Sequence, residues 1–369
     1  MLFLPAGSQD QIGQKLNNKA KITRVFRDVV CRRDYKAIET PVIEYAQTFT
    51  NPHVGMDLST LLKWFDYEGQ IEVLRPDWTT AIARALINQP PTQKKWFYQG
   101  SIFRNDKNGI ESRQAGIEII RSSQCLGEME SLLTAVDYLK ALQIDDYLIE
   151  LGHTGIFEYL IQPLELNRVE EEALRTAMHD KQTDVVERIV KEKGNGQVAK
   201  ELVNLIQAYG DKEVLQKYRS DWQNQTVLVE IIDLLDYLYT SLETMGANVI
   251  VDLGRVKQLP YYSGAMFRGY LKATGQICFS GGRYDKLYAQ FDTDISAVGL
   301  AFDIDVLANV ISPDPAKKRI CLIASPETHV QAEQMRQQLE DIQVDIQYQI
   351  PAQHNYDQII DLTKEVNES

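Results

Sequence analysis

Two strand-like runs, residues 95–105 and 113–121, flank the polar stretch Asp106-Lys107-Asn108-Gly109-Ile110-Glu111-Ser112, and no other feature limits the fold as much. A short polar connection returns the chain beside itself, so the pair reads as a long antiparallel hairpin with a mobile tip. A sheet with antiparallel pairing is therefore expected at the centre of the chain.

The flanking segments supply helices and further strands. Ile22, Val25, Phe26, Val29 and Val30 recur at three-to-four spacing and predict an amphipathic helix over 15–33. Residues 35–44 place apolar side chains at near-alternate positions but contain Pro41, which cannot donate to a ladder, so they read as an edge or interface strand. Runs 61–67 and 70–74 read as strands joined by a Glu68-Gly69 turn, and 79–88 as a helix. Beyond the hairpin a helix is expected over 128–142 and a strand over 147–151. Residues 165–245 are charge-rich, helix-periodic and nearly strand-free, which predicts a helical insertion. Strands return at 248–253, 261–271 and 276–280, and a helix closes the unit near Val310. Ser312-Pro313-Asp314-Pro315 opens a linker over 312–318. Residues 319–369 then carry strand, helix and strand, a short C-terminal βαβ-like unit.

A chain of 369 residues exceeds what one hydrophobic core usually supports, in keeping with a unit over 1–311 and a smaller one after the linker. Its 52 acidic and 39 basic residues leave a net charge of −13, which disfavours nucleic acid as a partner. Cys31, Cys125, Cys278 and Cys321 form no Cys-x-x-Cys pair, and the five histidines stand at no metal-ligand spacing. Buried thiols in a reducing compartment, and no metal, are expected. The opening Met-Leu-Phe-Leu-Pro-Ala-Gly-Ser-Gln-Asp has no basic region or long apolar run, and no stretch of ~18 apolar residues occurs. A cytoplasmic protein without membrane contact is the expectation.

Two strings carry chemistry when taken in order. Cys278-Phe279-Ser280-Gly281-Gly282-Arg283-Tyr284-Asp285 is followed by Ala297-Val298-Gly299-Leu300-Ala301-Phe302-Asp303-Ile304-Asp305-Val306-Leu307. Upstream lie Leu4-Pro5-Ala6-Gly7-Ser8-Gln9-Asp10, the proline-bearing stretch 38–44, Phe103-Arg104 with Gln114-Ala115-Gly116-Ile117-Glu118, and Leu259-Pro260-Tyr261-Tyr262. Singly each is weak: Tyr261 and Tyr262 suit a core, Gly281-Gly282 a hairpin turn, Arg75-Pro76-Asp77 a surface bend. The ordered set resembles the catalytic core of class II aminoacyl-tRNA synthetases, and within them the histidyl enzyme, over residues 1–311. The resemblance implies an α+β fold, an antiparallel sheet flanked by helices, with 38–44 as the dimer segment.

The same resemblance marks what is missing. Adenylation needs cations on the triphosphate oxygens that gain charge. Arg104 matches one arginine of the family, but Val306 stands at the second and Lys257 at the third; lysine keeps the charge and loses the planar fork. Asp303 replaces a glycine beside the adenosine, Pro260 replaces an aspartate, and the hairpin loop is several residues short. The amino-acid half is better kept. Asp77 and Thr79 match positions, Glu and Thr in the family, that bind the substrate's amino group. Gln114 and Glu118 match further ligands of amino group and imidazole, and Tyr261 and Tyr262 those flanking the ring. Carboxylates suit an ammonium, and polar acceptors beside aromatic walls suit an imidazole.

A histidyl-synthetase-like chain without adenylation residues or a full anticodon-binding domain resembles the regulatory subunit of ATP phosphoribosyltransferase, which serves histidine biosynthesis. That family implies no catalytic residues and no cofactor in this chain. It implies as partner the short-form catalytic subunit, which condenses ATP with phosphoribosyl pyrophosphate, in a hetero-octamer built around dimers of the synthetase-like chain. L-histidine is the implied effector. The alternatives are a working histidyl-tRNA synthetase that recruits Arg283 or Lys257, and a synthetase-like tRNA-binding or regulatory module. His153 and His179 have no nucleophile or metal partner nearby in sequence and read as isolated polar residues.

Overall fold

The computed structural model describes residues 3–5, 7–87, 92–106, 109–123, 125–256, 261–291 and 293–363. The hairpin tip at 107–108, expected to be mobile, lies outside them, as do Lys257 and Pro260. The described chain forms two compact units, 1–311 and 312–369. Among the described residues no helix is long and apolar enough to cross a membrane.

The hairpin is β5 (Lys95–Asp106) with β6 (Gly109–Ile120), and pairing continues through most of the polar loop. It lies in a nine-stranded sheet that starts at β1 (Lys36–Ala37), passes from β6 to β12 (Ala297–Asp303), β11 (Ile277–Arg283), β10 (Ala265–Leu271) and β7 (Tyr147–His153), and ends at β9 (Val249–Asp252) and β8 (Tyr209–Gly210). The β1–β5 and β7–β9 pairs are parallel and the rest antiparallel. Periodicity gives no sign of β12, because Ala-Val-Gly-Leu-Ala-Phe-Asp is buried on both faces and lacks polar alternation. Two other expectations are corrected. Gly281-Gly282 lies within β11 and forms no turn, and Tyr261-Tyr262 precedes β10, which starts only at Ala265.

One face of this sheet carries the core. Helix α1 (Gln14–Arg32) buries Ile22, Phe26, Val29 and Val30, the stripe its spacing predicts. With α4 (Leu126–Ala141) it covers the large side chains of the strands. Phe302 lies edge-on to Phe26, Tyr138 and Phe279 at centroid distances of 5.9, 4.6 and 5.4 Å. Alternation sends Gly299 and Ala301 to the opposite face, where small residues leave room.

Pro41 splits the 35–44 segment between two sheets. After β1 the chain enters β2 (Ile43–Tyr45), which with β4 (Ile71–Leu74) and β3 (Lys63–Phe65) forms a second sheet of order β2-β4-β3. A short helix, α2 (Gln47–Thr50), follows β2, and β4 leads into α3 (Trp78–Leu86). The insertion runs from α5 (Thr154–Ile161) through α6 (Arg168–His179), α7 (Thr183–Glu192), α8 (Gly196–Ile206), α9 (Lys212–Asp221) and α10 (Thr226–Thr244), with only β8 in strand form. A single turn, α11 (Ile304–Leu307), closes the unit.

The second unit has β13 (Arg319–Ile323), α12 (His329–Gln338), β14 (Gln343–Gln347) and a further strand, β15 (Gln358–Asp361), all parallel in the order β14-β13-β15. Ile320, Leu322, Ala324, Ala332 and Leu362 form its core.

Truncating a fully buried ring leaves a cavity as well as a lost transfer term. Phe302→Ala is expected to lower unfolding free energy by ~3–5 kcal/mol in urea denaturation. Val330→Ala, at an exposed position, is expected to stay within ~0.5 kcal/mol.

Candidate functional site

On the small-residue face a cavity of about 160 Å³ is lined by Asp77, Thr79, Gln114, Tyr261 and Tyr262, and by Arg104. Tyr98, Ser280, Gly281, Tyr284, Gly299, Leu300 and Ala301 complete the lining. Of the residues expected from sequence, only Glu118 does not line it. Glu118 lies directly behind, 1 % exposed, where its two oxygens accept hydrogen bonds from the hydroxyls of Thr79, at 2.7 Å, and Tyr284. Its effect on the cavity therefore runs through those two hydroxyls.

Local structure explains the placement. Gln114, Gly116 and Glu118 alternate outward from Ala115, Ile117 and Ile119, which enter the core. The register sets Glu118 opposite Gly299, and a Cβ at Gly299 would overlap the Glu118 carboxyl. Asp77 caps α3 by accepting from the Thr80 amide at 2.7 Å, a common role for aspartate, and this turns Thr79 toward Glu118. Tyr261 and Tyr262 stack at 5.0 Å and 25°, and Tyr261 meets Tyr284 edge-on at 6.3 Å. Sequence reasoning names Tyr284 and Gly299 only as parts of strings, and Tyr98 carries no signal at all.

Burial dominates the electrostatics of Glu118. Desolvation pushes its carboxyl up to about 8, the negative charge of Asp77 adds to this, and the Tyr284 and Thr79 hydroxyls oppose it. Near neutral pH the group is largely a neutral acid, able to donate as well as accept. Arg104 donates from Nε to the Pro76 carbonyl at 2.7 Å and borders the cavity.

Where the family resemblance would place the phosphates, acids are engaged with the protein itself. Asp303 caps α11 through the Val306 amide at 2.9 Å, and the Val306 side chain packs on the core. Lys19, 2 % exposed, pairs with Asp305, whose second oxygen accepts from the Arg113 amide at 2.9 Å. Arg283 is no substitute cation. It forks onto Glu128 of α4 at 2.6 and 2.8 Å, both side chains buried, and reaches Asp285 at 3.3 Å. His153 caps α5 by accepting from the Gly155 amide, with burial pushing its pKa down to about 4, and His179 bonds to the Val256 carbonyl. Among the described residues no three histidine, cysteine or carboxylate groups are placed to hold a metal ion.

Comparison with known proteins gives a consistent picture. Residues 7–307 match the family model described as histidyl-tRNA synthetase. A relative from Thermoanaerobacter, named ATP phosphoribosyltransferase regulatory subunit, is 33% identical over 314 residues, 83% of this chain and 82% of its own. A Bacillus halodurans crystal structure described as an ATP phosphoribosyltransferase regulatory subunit/histidyl-tRNA synthetase superposes with a TM-score of 0.83 at 24% identity, covering 98% of each chain. Histidyl-tRNA synthetase from Nostoc gives 0.78 at 16%, covering 99% of this chain and 88% of its own. At such identities the two structures carry the fold alone.

Because the folded-state pKa of Glu118 is raised, the folded chain binds a proton that the unfolded chain has already released. Stability from this group is full below the ordinary carboxylate range and is lost as pH rises toward about 8. Between pH 5 and 8 the wild type is expected to lose up to ~1.4 kcal/mol per pH unit relative to Glu118→Gln, read from denaturation midpoints of the two proteins in parallel.

Proposed function

From the premise that this chain belongs to the family of ATP phosphoribosyltransferase regulatory subunits, built on the histidyl-tRNA synthetase fold, we propose that its cavity senses L-histidine without activating it. The carrying observation is an asymmetry. The cavity joins a carboxylate, Asp77, to a hydroxyl network and stacked tyrosines, whereas the expected phosphate end holds Val306 and two acids. Its volume is below the ~300–1,000 Å³ of sites for drug-sized ligands, which suits a free amino acid. Asp77 would take the ammonium and Arg104 the carboxylate. The Tyr261–Tyr262 wall, with Thr79, Tyr284 and Glu118 behind, would take the imidazole, whose two nitrogens need one donor and one acceptor.

In this reading the partner is the short-form catalytic subunit, in a hetero-octamer, within the cytoplasm. The chain's own copies pair through the second sheet. Strand β2 ends the second sheet, and Ile43 and Tyr45 are exposed together on one face of it. A second copy brings the same apolar face, and a patch that meets itself about a two-fold axis is self-complementary. A working synthetase is the less favoured reading, since Arg283 is committed to Glu128.

Calorimetry of the purified chain with L-histidine is expected to give saturable binding, and ATP–pyrophosphate exchange is expected to stay at background. Asp77→Asn keeps a good helix cap but removes the charge, and is expected to weaken binding ~10–100-fold. Exchange above background would instead establish a synthetase site.

A further inference from the structure

Helix α3 reaches both the exposed sheet and the cavity. In β2 the side chains alternate, so that Glu44 turns inward between the exposed Ile43 and Tyr45 and holds Arg84 of α3 at 2.6 Å. At the other end of the same helix Asp77 caps the first turn and, with Thr79, lines the cavity. Seven residues, ~10 Å of helix, separate Asp77 from Arg84.

A second connection runs beside the first. Arg75 follows β4 directly. It donates to the Ser101 carbonyl at 3.0 Å and the Thr40 carbonyl at 2.8 Å, and its backbone N–H donates to the Val42 carbonyl at 2.8 Å. Its guanidinium lies 3.5 Å over the Trp78 ring, and Trp78 stacks at 4.9 Å and 23° on Tyr98 of the cavity wall. Residues 40–45 are thus joined to Tyr98 by one column of contacts and to Asp77 and Thr79 by the helix.

We infer that α3 couples the two sites, so that docking of a second copy on the face of β2 and filling of the cavity by ligand change each other's affinity. The inference rests on the histidine and self-dimer readings above. Linkage makes the effect reciprocal, and typical couplings correspond to ~5–150-fold.

Sedimentation across a dilution series with and without L-histidine measures the factor. Ile43→Lys supplies a monomer, and amide exchange over 78–86 reports the helix whether or not histidine binds. Histidine is expected to shift the wild-type dimer dissociation constant at least ~5-fold. Exchange across α3 is expected to be faster in the Ile43→Lys monomer than in the dimer. Arg84→Met, which cuts the helix link and leaves the Arg75 column, is expected to reduce the shift while still dimerising and still binding histidine. An unshifted constant in protein that binds histidine, a shift in Arg84→Met as large as in wild type, or equal α3 exchange in monomer and dimer overturns the coupling. Absence of histidine binding with α3 exchange still following the dimer would sink the histidine reading and leave the mechanical link supported. A dimeric Ile43→Lys would place the second copy elsewhere and overturn the link.

Discussion

A buried carboxyl must find partners and space, and Glu118 has both only because four segments meet around it. Gly299 of β12 supplies the space, Thr79 of α3 and Tyr284 after β11 supply the hydroxyls, and the β6–β12 register sets Glu118 against Gly299. A buried polar group that loses a partner costs ~1–3 kcal/mol, so these residues stand or fall as a set. The cavity wall is the outer side of that set. Its shape follows from the polar arrangement behind it as much as from the residues that line it.

The other end of the site has been put to structural use. A buried lysine is tolerable only when paired, and Lys19 reaches from α1 to Asp305, which also receives the Arg113 amide. Asp303 serves as the cap of α11. The acids thus tie α1, β6 and α11 together at the place where the resembled enzymes put cations on phosphates. Arg283 is likewise consumed, anchoring the end of β11 to α4 by a forked, buried pair with Glu128. At this end of the site the charged side chains are contacts that hold the scaffold.

Much of the fold was legible because its elements obey simple periods. The α1 stripe, the long hairpin and the helical insertion follow from spacing, and Pro41 announces the break that sends β1 and β2 to different sheets. The misses have physical causes. A strand covered on both faces, such as β12, shows no alternation, and β15 is too short to declare itself. Glycines that admit a neighbouring side chain look like turns until the neighbour is known, as Gly281 and Gly282 do within β11. At the cavity, ordered motifs brought Asp77, Thr79, Gln114, Tyr261 and Tyr262 to attention. The role of Glu118 behind Thr79 and Tyr284 is a matter of depth, which a string of letters does not encode.

The most direct test reconstitutes the chain with a short-form catalytic subunit and follows ATP phosphoribosyltransferase activity as L-histidine is added, for wild type and for Asp77→Asn. Expected is activity that depends on this chain, with the inhibition curve displaced to higher histidine in the variant by about the factor lost in direct binding. Inhibition at unchanged histidine concentration would contradict the assignment of this cavity as the sensor.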